Sequence, residues 1–227
     1  MRTVRAFPIA VLVCLLLAMG VQAQMGGLAR PPGIQGVWSP VVGTGAAYEI
    51  QDNKNQKHAM EMTIVGKETV NGKDAYWLEY GMQAPDSGAT MYMKMLVAQD
   101  RDNVIMERMI MQVPGQPQPM EMSMSIQAPQ ATVKKNQEAD FRQKAQRVGT
   151  ETISVPAGTF VCEHYRMTDG SGDVWFSPKV TPWGMVKYSG QGTTLVLLKT
   201  ITDAKDHITG TPVKFDPTEM MRQVPRP

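Results

Sequence analysis

The chain has 227 residues, with 23 Lys and Arg against 21 Asp and Glu. The basic excess rests on Arg2 and Arg5 alone. Beyond residue 23 the count is 21 against 21, and a neutral chain lacks the basic surface that neutralises many phosphates, so no nucleic-acid partner is expected. About 200 residues suffice for one β-rich domain with its own core.

The chain opens with the basic Met1-Arg2-Thr3-Val4-Arg5, continues with apolar residues 6–19, and reaches small residues at Val21 and Ala23. That order predicts a secretory signal peptide over residues 1–23, cut before Gln24. A membrane anchor needs about 20 consecutive apolar residues, and Pro8 and Gly20 leave this run too short. Cys14 follows Val11-Leu12-Val13, with no small residue directly before it, and reads as an ordinary leader residue rather than a lipidation site. No later segment is apolar enough for a transmembrane span, so a periplasmic or secreted location is expected. Residues 24–40 are rich in Gly and Pro and read as a flexible lead-in, and 41–227 as a single β-rich domain.

Past the lead-in the apolar pattern has period two, the mark of a half-buried strand. Tyr48 and Ile50 alternate with polar neighbours, and Met60, Met62 and Ile64 share a face. Asn71-Gly72 is a strong two-residue hairpin signal. Its second arm sets Tyr76, Leu78, Tyr80 and Met82 on one face, with Trp77 and Glu79 on the other. Met91, Met93, Met95 and Val97 repeat the pattern. Polar residues 99–103 turn into a strand near 104–113, a Pro-rich loop follows, and Met120, Met122, Met124 and Ile126 alternate again. Residues 133–147 break the period: they are rich in Lys, Gln, Glu and Ala, place Phe141 and Ala145 four apart, and predict a helix. Strands resume near 150–155, 160–168, 174–177, 185–189 and 193–202, parted by Gly- and Pro-containing turns. Asp216-Pro217-Thr218-Glu219 carries the cap, first-turn Pro and capping Glu of a short C-terminal helix. About ten strands joined mostly by tight turns predict a mainly β fold: a single strongly curved antiparallel sheet, or half-open β-barrel, with one or two short covering helices.

The stretch Gly149-Thr150-Glu151-Thr152-Ile153-Ser154-Val155-Pro156-Ala157-Gly158-Thr159-Phe160 resembles a strand–turn–strand signature of exported bacterial β-rich proteins. There, a V-P-A-G-T-F-like turn introduces a strand, and a D-x-W-x-S strand and a P-x-G-x-V-K/R segment follow. In this chain those segments read Asp173-Val174-Trp175-Phe176-Ser177 and Pro182-Trp183-Gly184-Met185-Val186-Lys187. The pattern, strongest over residues 149–188, is similar to the broad LolA/LolB-like group and related uncharacterised periplasmic families. The resemblance implies a half-open barrel with helices closing an apolar cavity that takes lipid acyl chains.

Methionine is the unusual component: 17 of the 19 lie beyond the leader, many in alternating runs at Met60/Met62, Met91/Met93/Met95, Met109/Met111 and Met120/Met122/Met124. Period two lays each run along one sheet face. Three chemistries are open. Thioether side chains fill irregular core gaps, line a deformable apolar pocket, or bind Cu(I) as soft ligands. The pocket reading gives a ligand-binding set of Met60, Met62, Tyr76, Leu78, Tyr80, Met91, Met93, Met95, Met120, Met122 and Met124 for a lipid or other apolar or amphipathic ligand, with Tyr76 and Tyr80 at the mouth. Trp77, Lys94 and Glu121 then point the other way. The alternatives are a Cu(I) site using His58-x-Met60-x-Met62 and a filled-core structural or partner-binding module.

Enzymatic chemistry is not expected. Cys162 is the only cysteine beyond the leader and reads as a small buried hydrophobe. Cys162 and His164 share a strand face but stand about 7 Å apart along it, too far for a thiolate–imidazole pair without convergence. No H-E-x-x-H, C-x-x-C or G-x-S-x-G motif occurs, and Glu68, Glu79, Glu163 and Asp173 read as residues of solvated faces. No cofactor and no catalytic residue are assigned, and the protein partner is open.

Overall fold

The computed structural model describes residues 38–83, 89–100, 103–112, 115–122 and 145–214. The chain divides between Gly33 and Ile34, and every described residue belongs to the second unit. Twelve strands make one sheet: β1 (Gly45–Gln51), β2 (Lys57–Val70), β3 (Lys73–Gln83), β4 (Thr90–Asp100), β5 (Asn103–Gln112), β6 (Met120–Met122), β7 (Ala145–Val155), β8 (Gly158–Met167), β9 (Asp173–Phe176), β10 (Met185–Gly190), β11 (Thr193–Ile201) and β12 (Val213–Lys214). Their spatial order is β12-β6-β5-β4-β3-β2-β1-β11-β10-β9-β8-β7. Two antiparallel meanders, β1–β6 and β7–β11, are therefore joined along the β1–β11 seam. Only the short β12, parallel to β6, makes the sheet mixed.

Local chemistry accounts for the turns. Asn71 and Gly72 both have positive φ, 51° and 75°, as the tight β2–β3 turn requires. Pro156 and Ala157 form the two-residue connection of the β7–β8 hairpin, since Val155 pairs with Gly158. That hairpin folds back: the Ala157 N–H donates to the Leu197 carbonyl of β11 at 3.4 Å, and Ile153, Val155, Ala157 and Phe160 pack on the core that contains Leu195 and Leu197. The sheet curls strongly at this end and stays open, as the mainly β curved-sheet expectation holds.

The expected helix over 133–147 fails at its C-terminal end. Ala145, Gln146 and Arg147 begin β7 and pair with Met167, Arg166 and Tyr165. Ala145 is buried, so ladder hydrogen bonds and packing outweigh a helical stripe of only two apolar residues. Residues 133–144 and the C-terminal segment from Asp216 lie outside the described residues.

Two cores flank the sheet. The main one, on the inner face, holds Tyr48, Ile50, Met60, Met62, Ile64, Leu78, Tyr80, Met95, Leu195 and Leu197 among others. Tyr48 donates its hydroxyl to the Met185 carbonyl at 2.9 Å, tying β1 to the start of β10. The second, on the outer face of β3–β5, joins Ala75, Trp77, Leu96, Ala98 and Ile110 to Ile208. Ile208 belongs to the segment 203–210 that follows β11, so this strap covers the face where Trp77 points.

Candidate functional site

Strand register gathers the methionines into one lattice. Met62 stands opposite Tyr80, Tyr80 opposite Met93, Met93 opposite Met111, and Met111 opposite Met120, a single row across β2–β6. A second row runs Ile64, Leu78, Met95, Met109, with Met122 next in backbone register. A third runs Met60, Met82, Met91. Directly opposite residues share a face with Cβ atoms about 4.5–5.5 Å apart, so these thioethers are neighbours on the inner surface.

Burial grades along the lattice. Met60, Met62, Leu78, Tyr80 and Met95 are buried in the main core, whereas Tyr76, Met82, Met91, Met93, Met109, Met111 and Met120 are half-buried. Met124 and the side chain of Met122 lie outside what is described. Trp77, Lys94 and Glu121 occupy the opposite face, through the registers Trp77–Leu96 and Lys94–Ile110–Glu121. Trp77 is nonetheless buried there, under the strap.

The two tyrosines part ways. Tyr76 is half-buried, with the Lys67 ammonium 5.6 Å from its ring centre. Tyr80 does not sit at a mouth: its hydroxyl is buried and without a well-formed hydrogen bond, as are the indole N–H groups of Trp38 and Trp183. Those two indoles pack with ring centres 4.3 Å apart. Burial holds the Tyr80 hydroxyl well above the usual phenol range, and the adjacent Trp183 N–H offsets this only in part. The His58 copper set is also dispersed in character: Met60 and Met62 are core residues, while the His58 ring faces Asp52 at 3.6 Å.

Two polar clusters were not legible as such. On β7–β9, His164 is 5% exposed, so no substrate reaches it freely. Its Nδ1 meets Glu151 Oε1 and its Nε2 meets Asp173 Oδ1, both at 2.6 Å. The ring stacks on Trp175 at 4.5 Å, and the Trp175 N–H donates to the other Glu151 oxygen at 3.0 Å. Lys187 covers Trp175, and Arg166 donates to Asp173. The Trp175 and His164 hydrogen bonds hold Glu151 below the usual carboxylate range. For Asp173 burial pushes the other way, but His164 and Arg166 win and hold it low as well. The cluster clamps three strands together. Burial pushes the Cys162 thiol up to about 11, and it donates weakly to the Phe160 carbonyl. Glu151 alternates with Thr150 and Thr152 but shares its side of β7 with Ile153 and Val155; a carboxylate on an apolar side was the available signal.

On the outer face, Glu79 is buried rather than solvated, at 1% exposure. Its carboxylate accepts from the backbone N–H of His207 at 3.1 Å and of Ile208 at 3.3 Å, and meets His207 Nδ1 at 2.7 Å. Burial pushes its carboxyl above the usual range, with the His207 hydrogen bonds opposing. Tyr92 stacks on His207, and Lys94 donates to Asp206 and to the Ile208 carbonyl. Glu79 is thus the anchor of the strap. Nearby, Trp77 donates its N–H to Glu68, which also pairs with Arg108.

Two shallow clefts, of about 180 and 270 Å³, lie beside residues 199–207 and between the 51–55 and 189–194 turns, and no methionine lines either. Among the described residues no three His, Cys, Asp or Glu side chains are grouped to hold a metal, and no helix is long and apolar enough to cross a membrane.

No family model matches this chain, and no curated protein matches it. Among solved structures it is similar to a candidate lipoprotein from Parabacteroides distasonis ATCC 8503, at 14% identity over 72% of this chain and 97% of that one, with a TM-score of 0.37. It is also similar to a candidate exported protein with a YmcC-like fold from Bacteroides fragilis NCTC 9343, at 12% identity over 72% of this chain and 98% of the other, with a TM-score of 0.35. The LolA/LolB-like resemblance rests on residues 149–188 of the sequence.

Proposed function

We propose that the chain is an exported soluble protein, periplasmic or secreted, that binds an apolar or amphipathic ligand such as a lipid on the methionine-covered inner face of its sheet, without covalent chemistry. The observation that carries this reading is the burial gradient. One continuous lattice passes from the buried Met60, Met62, Leu78, Tyr80 and Met95 to the half-buried Met91, Met93, Met111 and Met120 on β4–β6. An acyl chain laid there removes apolar area from water, at about 25 cal/mol per Å². Two chains supply enough area to offset an association cost of about 4–15 kcal/mol. Unbranched thioethers repack around chains of different shape at little strain. Tyr76, with an apolar ring and a polar tip, suits the boundary between chain and head group. The leader and the LolA/LolB-like resemblance support the same reading.

The test is lipid extraction and native mass spectrometry of protein purified from the periplasm, followed by displacement of a fluorescent fatty acid. Saturable, displaceable binding is expected, and Met93→Trp should weaken it by filling ligand volume while the far-ultraviolet circular dichroism stays unchanged. Protein without co-purifying lipid and without saturable probe binding would leave the filled-core module as the better reading.

A further inference from the structure

We propose that Met93, Met111 and Met120 form a binding site for Cu(I). The three residues sit at one level on β4, β5 and β6, each directly opposite the next, and all are half-buried. Adjacent strands are about 4.8 Å apart, and each thioether swings on three rotatable bonds, so Met93 and Met120 can bend toward Met111 and present three sulfurs to one ion. Thioether sulfur is a soft ligand that selects Cu(I) over hard or borderline divalent ions. Among the described residues, the carboxylate nearest in register, Glu121, belongs to the other face, opposite Ile110. Packing alone does not call for this choice. Pleated surfaces favour β-branched and aromatic side chains, yet three consecutive strands place methionine at the same level. The structure also moves the site away from the Met-x-Met pair next to His58, whose thioethers are enclosed by the core.

This inference stands apart from the apolar-ligand reading, because it needs sulfur where that reading needs only apolar area. Met→Leu replacement conserves volume and is tolerated by cores, so a triple variant M93L/M111L/M120L removes the three sulfurs and keeps the apolar area. Under anaerobic conditions the wild-type chain should hold one Cu(I) in competition with bicinchoninate. The triple variant should lose at least tenfold in Cu(I) affinity with its far-ultraviolet circular dichroism and melting unchanged, and M167L on β8 should behave as wild type. A second measurement needs no variant: in wild-type protein labelled with ¹³C at the methionine methyls, Ag(I) as a redox-inert surrogate should shift the signals of Met93, Met111 and Met120. Full loss of Cu(I) to the chelator, wild-type affinity in the triple variant, or Ag(I) shifts confined to other methionines would each overturn the proposal.

Discussion

Removing the Glu79 carboxylate should release the strap from the outer face. Glu79 is 1% exposed and accepts two backbone N–H groups, those of His207 and Ile208, besides the His207 ring. Glu79→Ala strands the His207 N–H, while the Ile208 N–H keeps Asp206 at 2.9 Å. A hydrogen bond to a charged group is worth about 1.5–3 kcal/mol, and an abandoned buried donor costs about 1–3 kcal/mol. The His207 ring is 42% exposed and regains water. With that relief, the expected destabilisation is about 2–4 kcal/mol. Glu79→Gln keeps an acceptor oxygen for the backbone donors and should cost less than half as much. Urea unfolding followed by tryptophan fluorescence gives both numbers, with an unchanged slope against denaturant as the sign that the folded and unfolded states are otherwise alike. Hydrogen exchange should rise at the amides of His207 and Ile208 in the Ala variant before it rises in β1 or β11. An Ala variant within about 0.5 kcal/mol of wild type, the range of an ordinary surface substitution, would refute the anchor.

Other outcomes follow from the same contacts. Glu151 and Asp173 both titrate below their usual range, so their contribution is present above that range and is lost as pH falls through their folded values. Thermal melts of wild type should therefore drop below about pH 4, and E151Q/D173N should start lower at neutral pH and show a flatter decline. Cys162, buried with its thiol pushed up to about 11, should resist alkylation at pH 8 in the native protein and react after denaturation. Gly190→Ala would press its methyl on the Ser171 carbonyl and the Gly172 backbone, and should lower stability by at least about 1–3 kcal/mol. Gly149→Ala meets nothing within 4 Å and should stay near wild type by the same melts.

The sequence carries the faces of the strands better than their partners. Period two placed Met60, Met62, Leu78, Tyr80 and Met95 on one side and Trp77 and Lys94 on the other, because alternation is a property of a single strand. The Asn71-Gly72 turn was legible for a similarly local reason. Register between distant strands is not local, and it is register that puts Met93, Met111 and Met120 side by side. The outer core had a signal that alternation hides: Met95-Leu96-Val97-Ala98 is apolar without interruption, the mark of a strand covered on both faces. Glu79 shares its face with Ala75 and Trp77, and a carboxylate among such neighbours meets its partner only when the strap at His207 arrives from 128 positions away in the chain. The clamp at His164 depends in the same way on β7 and β9 meeting β8.

The strap and the methionine face are linked by a mechanical requirement. Strands β4 and β5 must be held somewhere if their inner face is to stay half-buried, and a bare sheet wing has little to hold it beyond its ladder hydrogen bonds. Ile208 supplies the other anchorage by packing on Trp77, Leu96 and Ile110, with Glu79 and Lys94 fixing the backbone that carries it. With apolar contact secured on the outside, Met91 and Met111 are not required to pack the wing from the inside. Their exposure is then compatible with a stable sheet, and loosening the strap should loosen β4 and β5 ahead of the β1–β11 seam. Hydrogen exchange in the Glu79→Ala variant reads that order directly: protection lost first at Leu96 and Ile110, and retained at Tyr48 and Leu197, is the expected pattern, whereas uniform loss would mean that the two faces are held as one cooperative unit.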